Sequence, residues 1–344
     1  MLQQVAEGGS HSQNRPHKRI EIPMPVEGEG GLFTQSWYAV AMASELGAGE
    51  VIGKQFLDGR IAIYRTDEGV ARVVSAFCPH LGARLDKGAV VGDRIQCPFH
   101  RFEYNGEGRC VATGIGAAPP PTARLFNFPT VERFGFIWAF NGEEPLWQLP
   151  DFAFPDDELI FKTIDYGDVP ADPYVLCCNT PDYHHYRTVH QIDWAHPDPD
   201  PRKDFRWTDH SFQFDLDGTH WDNLPMKFTF GIYSTSLFFQ QGWLGDDWYG
   251  YMVPFTVTEP GNTKVYFVIA TRKGDGSPEA LAHSEALNDR FMDIERRFVD
   301  QDLPILDGIQ FRQGTLTSKD LPLAMYLDLV RKQPRAHPSA DHIR

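Results

Sequence analysis

Within twelve residues, Asn179 to His190, the chain places an asparagine, an aspartate and three histidines. Asn and Asp compete with the backbone for hydrogen bonds and are disfavoured inside helices, so keeping both among histidines points to a purpose beyond local folding. Neutral imidazole binds iron, copper and zinc alike, and this stretch alone leaves the metal open. A second group lies earlier, Cys78-x-His80 and Cys97-x-x-His100, with sixteen residues between His80 and Cys97. Two thiolates and two imidazoles suit a tetrahedral structural zinc. They also suit a [2Fe-2S] cluster in which the cysteines take one iron and the histidines the other, with a potential raised to roughly −150 to +300 mV because two thiolates are replaced by neutral ligands.

Set among short strands, Cys78-x-His80 with Cys97-x-x-His100 resembles the Rieske domain of the Rieske non-haem iron oxygenases. Asn179-x-x-Asp182-x-x-His185-x4-His190 is similar at every position to that family's mononuclear iron motif. The resemblance implies an oxygenase (alpha) component of the homotrimeric monooxygenase and demethylase type. Cys78, His80, Cys97 and His100 would hold the [2Fe-2S] cluster, and His185 and His190 would hold Fe(II). Asp182 would be a bridge and not a ligand, passing electrons from His100 of one subunit to His185 of its neighbour in a head-to-tail trimer, with Asn179 close by in a role the sequence leaves open. The implied reaction is hydroxylation or demethylation, with O2, of an apolar substrate of aromatic or steroid-like character. The loop Lys87 to Asp93 resembles that of steroid and sterol oxygenases. Cis-dihydroxylation of an aromatic ring is the alternative outcome. Alternatives of another class are a Rieske electron-transfer protein without oxygenase activity and a zinc scaffold. Gly106-Glu-Gly108 and Gly114-Ile-Gly116 do not complete a dinucleotide fingerprint, so a separate NAD(P)H-dependent reductase, with or without a ferredoxin, is the expected partner.

A third iron ligand is expected from the C-terminal part. Leu287, Phe291, Ile294 and Phe298 form an apolar helical stripe that Asp302 continues. A carboxylate on a core-facing stripe needs a partner to offset desolvation, and a metal provides one. Asp302 also matches the place of the family's carboxylate ligand, completing a 2-His-1-carboxylate triad with His185 and His190. Asn179, Asp182 and His185 are spaced by three and would share one helix face, whereas His190 lies about 140° further round, so the helix must end or bulge before it. His184 falls off that face. Cys177 and Cys178 read as small packing residues, and Cys110 as a structural thiol.

The elements that must position these groups read as an α+β protein. Residues 1–30 are polar and Gly-, Ser- and Pro-rich, and are expected to be a flexible tail. Residues 31–150 read as an all-β Rieske domain, with Trp37 to Val40, Arg60 to Tyr64, Val70 to Phe77 and Gly135 to Phe140 as strands. Residues 151–344 read as the catalytic domain, an antiparallel sheet with helices carrying the mononuclear iron. Its strands are expected at Met226 to Ile232, Trp248 to Thr256 and Thr263 to Ala270, with helices at Ala171 to His190 and Pro278 to Asp302. A formal charge of −15 argues against nucleic-acid binding, and no apolar run is long enough for a membrane span. The polar N-terminus and the odd set of five cysteines lead us to expect a cytoplasmic protein without a disulfide framework.

Overall fold

The computed structural model describes residues 23–192, 194, 196–220, 222–306, 309 and 316–344. Residues 1–22 of the expected tail lie outside the described residues. Order begins before Leu32, which corrects the expected extent of the tail: Met24 and Glu27 are buried. The Glu27 carboxylate accepts from the Thr34 backbone N–H at 2.8 Å and from its hydroxyl, and the Glu27 N–H donates to Asp172 at 2.7 Å. These bonds give a polar segment the partners that its composition does not announce.

Every strand pairing in the sheets is antiparallel. In the first half, one sheet joins 127–128, 71–75, 59–65 and 51–56, a second joins 130–133, 136–140 and 37–42, and a third joins 89–91, 94–96, 103–104 and 110–112. β-branched and aromatic runs such as Phe136–Phe140 form these strands because such side chains pack well on a pleated surface.

The second half is built on a seven-stranded sheet. Strands from Ser211–Thr219 to Asn262–Arg272 follow one another as a meander, and Leu159–Val169 closes one edge beside Asn262–Arg272. Strand alternation gives this sheet two apolar faces. Leu237, Phe239, Trp248, Met252 and Val268 pack against Trp37, Phe136, Trp138 and Phe140 of the first half. Phe228, Phe230, Tyr249, Tyr251, Val253 and Phe267 face the other way, into a core shared with the helix Pro278–Leu306. The chain end crosses back: Arg335–Ala336 pairs with Phe33–Thr34, and Ile343 is buried in the core with Tyr38 and Ile61. Residues 151–344 are therefore not confined to one side of the boundary expected at 150.

Two helices differ from the sequence reading. The segment Ala171 to His190 is two short helices, Pro173–Cys177 and Tyr183–Thr188, because Pro181 lacks an N–H and restrains the residue before it. Asp182 becomes the N-cap of the second helix, its side chain accepting from the His184 N–H at 3.0 Å, so it does not share a helix face with Asn179 and His185. The long helix runs through Pro304 to Leu306. Only the last turn follows this proline, so the ring sacrifices one backbone hydrogen bond without ending the helix at once. No helix among the described residues is long and apolar enough to cross a membrane.

Candidate metal centres

Cys78 opens a loop that closes on itself, Cys78 N–H bonding to Ala83 C=O and Gly82 N–H to Cys78 C=O, each at 2.9 Å. Gly82 supplies the left-handed turn, with φ of 74°. The second loop closes where Cys97 N–H meets Phe102 C=O at 2.8 Å, with Arg101 at φ 56°. The result is a graded environment. Cys78 and Cys97 are buried, while His80 is exposed and His100 half-buried. The two imidazoles stand 4.8 Å apart, edge to face, and Phe102 stacks on His80 at 4.5 Å. Leu81 and Phe99, beside these histidines in sequence, are 66% and 61% exposed, leaving an apolar rim around the imidazole end. Burial pushes the Cys78 thiol up, and the hydroxyl of buried Tyr104 lies 3.0 Å from its sulfur. Soft thiolates inside and imidazoles outside fit a cluster with one iron towards the core and one towards the surface. Cys110 lies outside both loops, its thiol 3.4 Å from the Ala112 carbonyl.

The second centre assembles from separate elements. His185 lies in Tyr183–Thr188, and that helix ends before His190: both Val189 N–H and His190 N–H reach the His185 carbonyl, at 2.8 and 3.4 Å. The widened final turn swings His190 back, so that its ring stands 4.9 Å from that of His185. Asp302, from the long helix, brings a carboxylate oxygen to 3.2 Å from His190 Nε2. The ligand atoms of His185, His190 and Asp302 all lie within 4.8 Å of one another, and these three are the one such group among the described residues.

The surrounding bonds orient this donor set. His185 Nδ1 bonds to the Asp182 main-chain carbonyl at 2.6 Å, and His190 Nδ1 to Gln301 Oε1 at 2.9 Å. Both acceptors select the Nδ1–H tautomer, which leaves each Nε2 lone pair for a metal. The Asp182 to His185 contact thus runs through the backbone, while the Asp182 carboxylate caps the helix. Asn179 acquires a definite place, its amide donating to Asp302 Oδ2 at 3.0 Å. Burial lowers the His185 pKa; for His190 burial works in the same direction, but the hydrogen bond and charge of Asp302 outweigh it and the net direction is up. His184 points elsewhere, largely exposed, with Nε2 3.9 Å from Asp320. Cys177 is buried, its thiol 3.5 Å from the Thr235 carbonyl, and Cys178 is half-buried.

The three ligand candidates line a cavity of about 1000 Å³, open mouth included, between the inner sheet face and the long helix. Phe228, Phe230 and Phe238 line it, whereas Phe239 packs on the opposite face and Trp243 is exposed. Sequence reasoning missed the polar groups among these apolar ones. Glu295 is buried, accepts on Oε1 from Gln240 at 2.8 Å and Tyr249 at 2.7 Å, and is pushed by burial up to about 7 against those two bonds. One signal was present: Glu295 lies seven residues before Asp302, on the same helix face.

Residues 36–128 match the family described as the Rieske [2Fe-2S] domain. Over 162 residues the chain is 34% identical to the oxygenase component of dicamba O-demethylase from Stenotrophomonas maltophilia, covering 46% of this chain and 48% of the relative. Over 123 residues it is 38% identical to cholesterol 7-desaturase from Bombyx mori, covering 35% of this chain and 27% of the relative. The chain thus spans about half or less of the length of these curated relatives. The crystal structure of dicamba monooxygenase bound to dicamba superposes with a TM-score of 0.59 at 21% identity, covering 87% of this chain and 97% of that one, a likeness of fold.

Proposed function

We propose that this chain, which belongs to the Rieske non-haem iron oxygenases, is the terminal oxygenase component of a multi-component system that oxygenates an apolar organic substrate. One observation carries the reading: a 2-His-1-carboxylate donor set stands at the wall of a largely apolar cavity, in a chain that also bears a Rieske domain. We assign the [2Fe-2S] cluster to Cys78, His80, Cys97 and His100 in a domain of residues 31–150, and Fe(II) to His185, His190 and Asp302 in a domain of residues 151–344. Such a cluster supplies single electrons, and iron in a facial triad leaves adjacent positions for dioxygen and water.

The protein's own residues do the rest. The Asp182 carbonyl and Gln301 fix the two imidazoles, Asn179 holds the Asp302 carboxylate, and the aromatic walls exclude water from the substrate. Among the described residues, no hydrogen bond, ion pair or ring contact joins the two centres within one chain. The exposed rim of Leu81 and Phe99 supports a head-to-tail homotrimer in which His100 of one subunit approaches Asp182 of the next. A separate NAD(P)H-dependent reductase, with or without a ferredoxin, would supply the electrons. Free cysteines agree with the reducing cytoplasm as its location. Relatives named for dicamba and cholesterol support aromatic or steroid-like substrates that are hydroxylated or demethylated. The walls of the cavity, lined on two sides, favour this over a plain electron carrier.

The test is a panel of aromatic, aryl-ether and steroid compounds incubated with reduced protein carrying both metals. Dioxygen uptake matched by an oxygenated product, together with a rhombic cluster signal in electron paramagnetic resonance, is the expected result. Zinc in place of iron, or a cluster signal without dioxygen uptake on any compound, would overturn the reading.

A further inference from the structure

The part of the cavity where the inner sheet face meets the long helix is not uniformly apolar. Tyr249 and Tyr251 alternate on one strand so that both reach the inner face, and Gln240 pairs with Tyr251 across the neighbouring strand. With Glu295 from the long helix they gather the polar atoms of this wall. Glu295 receives both of its hydrogen bonds on Oε1, and Oε2 carries none among the described residues. Tyr251 is 2% exposed, and its hydroxyl has no hydrogen-bond partner among the described residues. Leaving a buried hydroxyl unpaired is costly, so a donor–acceptor partner brought by a ligand would be rewarded.

We propose that Tyr251 and Glu295, positioned by Gln240 and Tyr249, form a subsite that selects an uncharged, mostly apolar substrate bearing one hydroxyl group. The hydroxyl oxygen accepts from Tyr251, and its hydrogen is donated to Glu295. The described residues lining the cavity include no lysine or arginine, so a carboxylate seated at Tyr251 would be desolvated beside the Glu295 acid with no cationic side chain to pair it. An apolar molecule without a hydroxyl fits the aromatic walls but leaves Tyr251 unpaired.

This assignment deepens the proposed function and rests on the same cavity, so its test is one of binding and not of turnover. Equilibrium dialysis of the anaerobic, metal-loaded protein would compare 4-tert-butylphenol, tert-butylbenzene and 4-tert-butylbenzoate, which share a shape and differ in one group. We expect the phenol to bind about tenfold more tightly than the hydrocarbon, the worth of the hydrogen bonds gained, and the benzoate to bind most weakly. Tyr251→Phe, nearly isosteric, and Glu295→Gln, which keeps the bonds from Gln240 and Tyr249 within reach, should each shrink the phenol preference while leaving tert-butylbenzene affinity unchanged. Parity among the three probes, failure of all three to bind, preference for the benzoate, or a phenol preference that survives both substitutions would overturn the subsite. Because no turnover is required, a selective binding result with no oxygenation would count against the proposed function and leave the subsite standing.

Discussion

Cys78, His80, Cys97 and His100 fall within 23 residues and are carried by two self-closing loops, with the imidazole pair towards solvent. His185, His190 and Asp302 span 118 residues, meet only through tertiary packing, and face a cavity. The contrast matches the roles proposed for the two centres. A centre that exchanges electrons needs a surface edge, and short loops deliver one without rearranging the core. A centre that handles substrate needs walls, and a sheet face opposed by a helix provides them at the cost of collecting ligands from distant elements. Orientation is handled differently too. Loop closure holds the first set, whereas the second depends on hydrogen-bonding partners, Gln301, Asn179 and the Asp182 carbonyl.

If the two regions are independent in this sense, each can be emptied without touching the other. Cys78→Ser should abolish the visible and electron paramagnetic resonance signature of the cluster while metal analysis still finds stoichiometric mononuclear iron. Asp302→Ala should do the reverse, with turnover lost in both. Loss of both metals from either single variant would break the comparison.

Asp182→Asn addresses the link between them. Asn caps a helix as well as Asp does, and the carbonyl that orients His185 is unchanged, so both centres should load normally. Turnover should still fall, because the charged carboxylate proposed to meet His100 of the next subunit is lost while both centres stay loaded. Wild-type turnover with both metals present would remove Asp182 from any bridging role.

The difference between the regions also governed how much the sequence disclosed. The four cluster candidates could be named from spacing because both pairs are local and their loops need only Gly and Pro to turn. The antiparallel sheet was legible in its aromatic alternation, as at Thr263 to Ala270, where one parity packs against Trp138 and the other faces the cavity. The helix pattern was less so. Pro181 divides the segment read as one helix from Ala171 to His190, and the helix expected to end at Asp302 runs past Pro304 to Leu306. Glu295 was illegible as a buried residue because a charged side chain in a helix ordinarily reads as solvated, and its partners Gln240 and Tyr249 come from strands 46 to 55 residues away. Asn179 could be seen to matter, but only a fold that carries Asp302 back to it defines its contact.

That contact allows a smaller test within the buried centre. Asn179→Ala removes the amide that holds Asp302 Oδ2, leaving the carboxylate free to rotate from the position it takes beside His190. Iron affinity, measured by competition with a chelator, should weaken by about tenfold, with the cluster spectrum unaltered. An unchanged affinity would mean that the helix alone positions Asp302, bringing this centre closer to the self-sufficient loops of the other.

The subtlest difference lies in a buried polar support of the cluster region. Tyr104 is fully buried, on the strand that follows the Cys97 loop, and its hydroxyl is 3.0 Å from the Cys78 sulfur. A thiolate bound to iron can only accept, so Tyr104 donates, drawing charge from the sulfur and favouring the reduced, more negative state of the cluster. Tyr104→Phe keeps the ring that packs against Ala62, Ile95 and Leu125 and removes only that donor. The cluster should therefore assemble in full and its reduction potential, followed by spectroelectrochemical titration, should move downward. A lower potential weakens the cluster's drive to accept electrons from the reductase, so turnover at limiting reductase should slow while iron occupancy at His185, His190 and Asp302 stays the same. A potential that does not move would show that the loops and burial alone fix the cluster's electronic properties, so that this centre, unlike the buried one, requires no side-chain support at all.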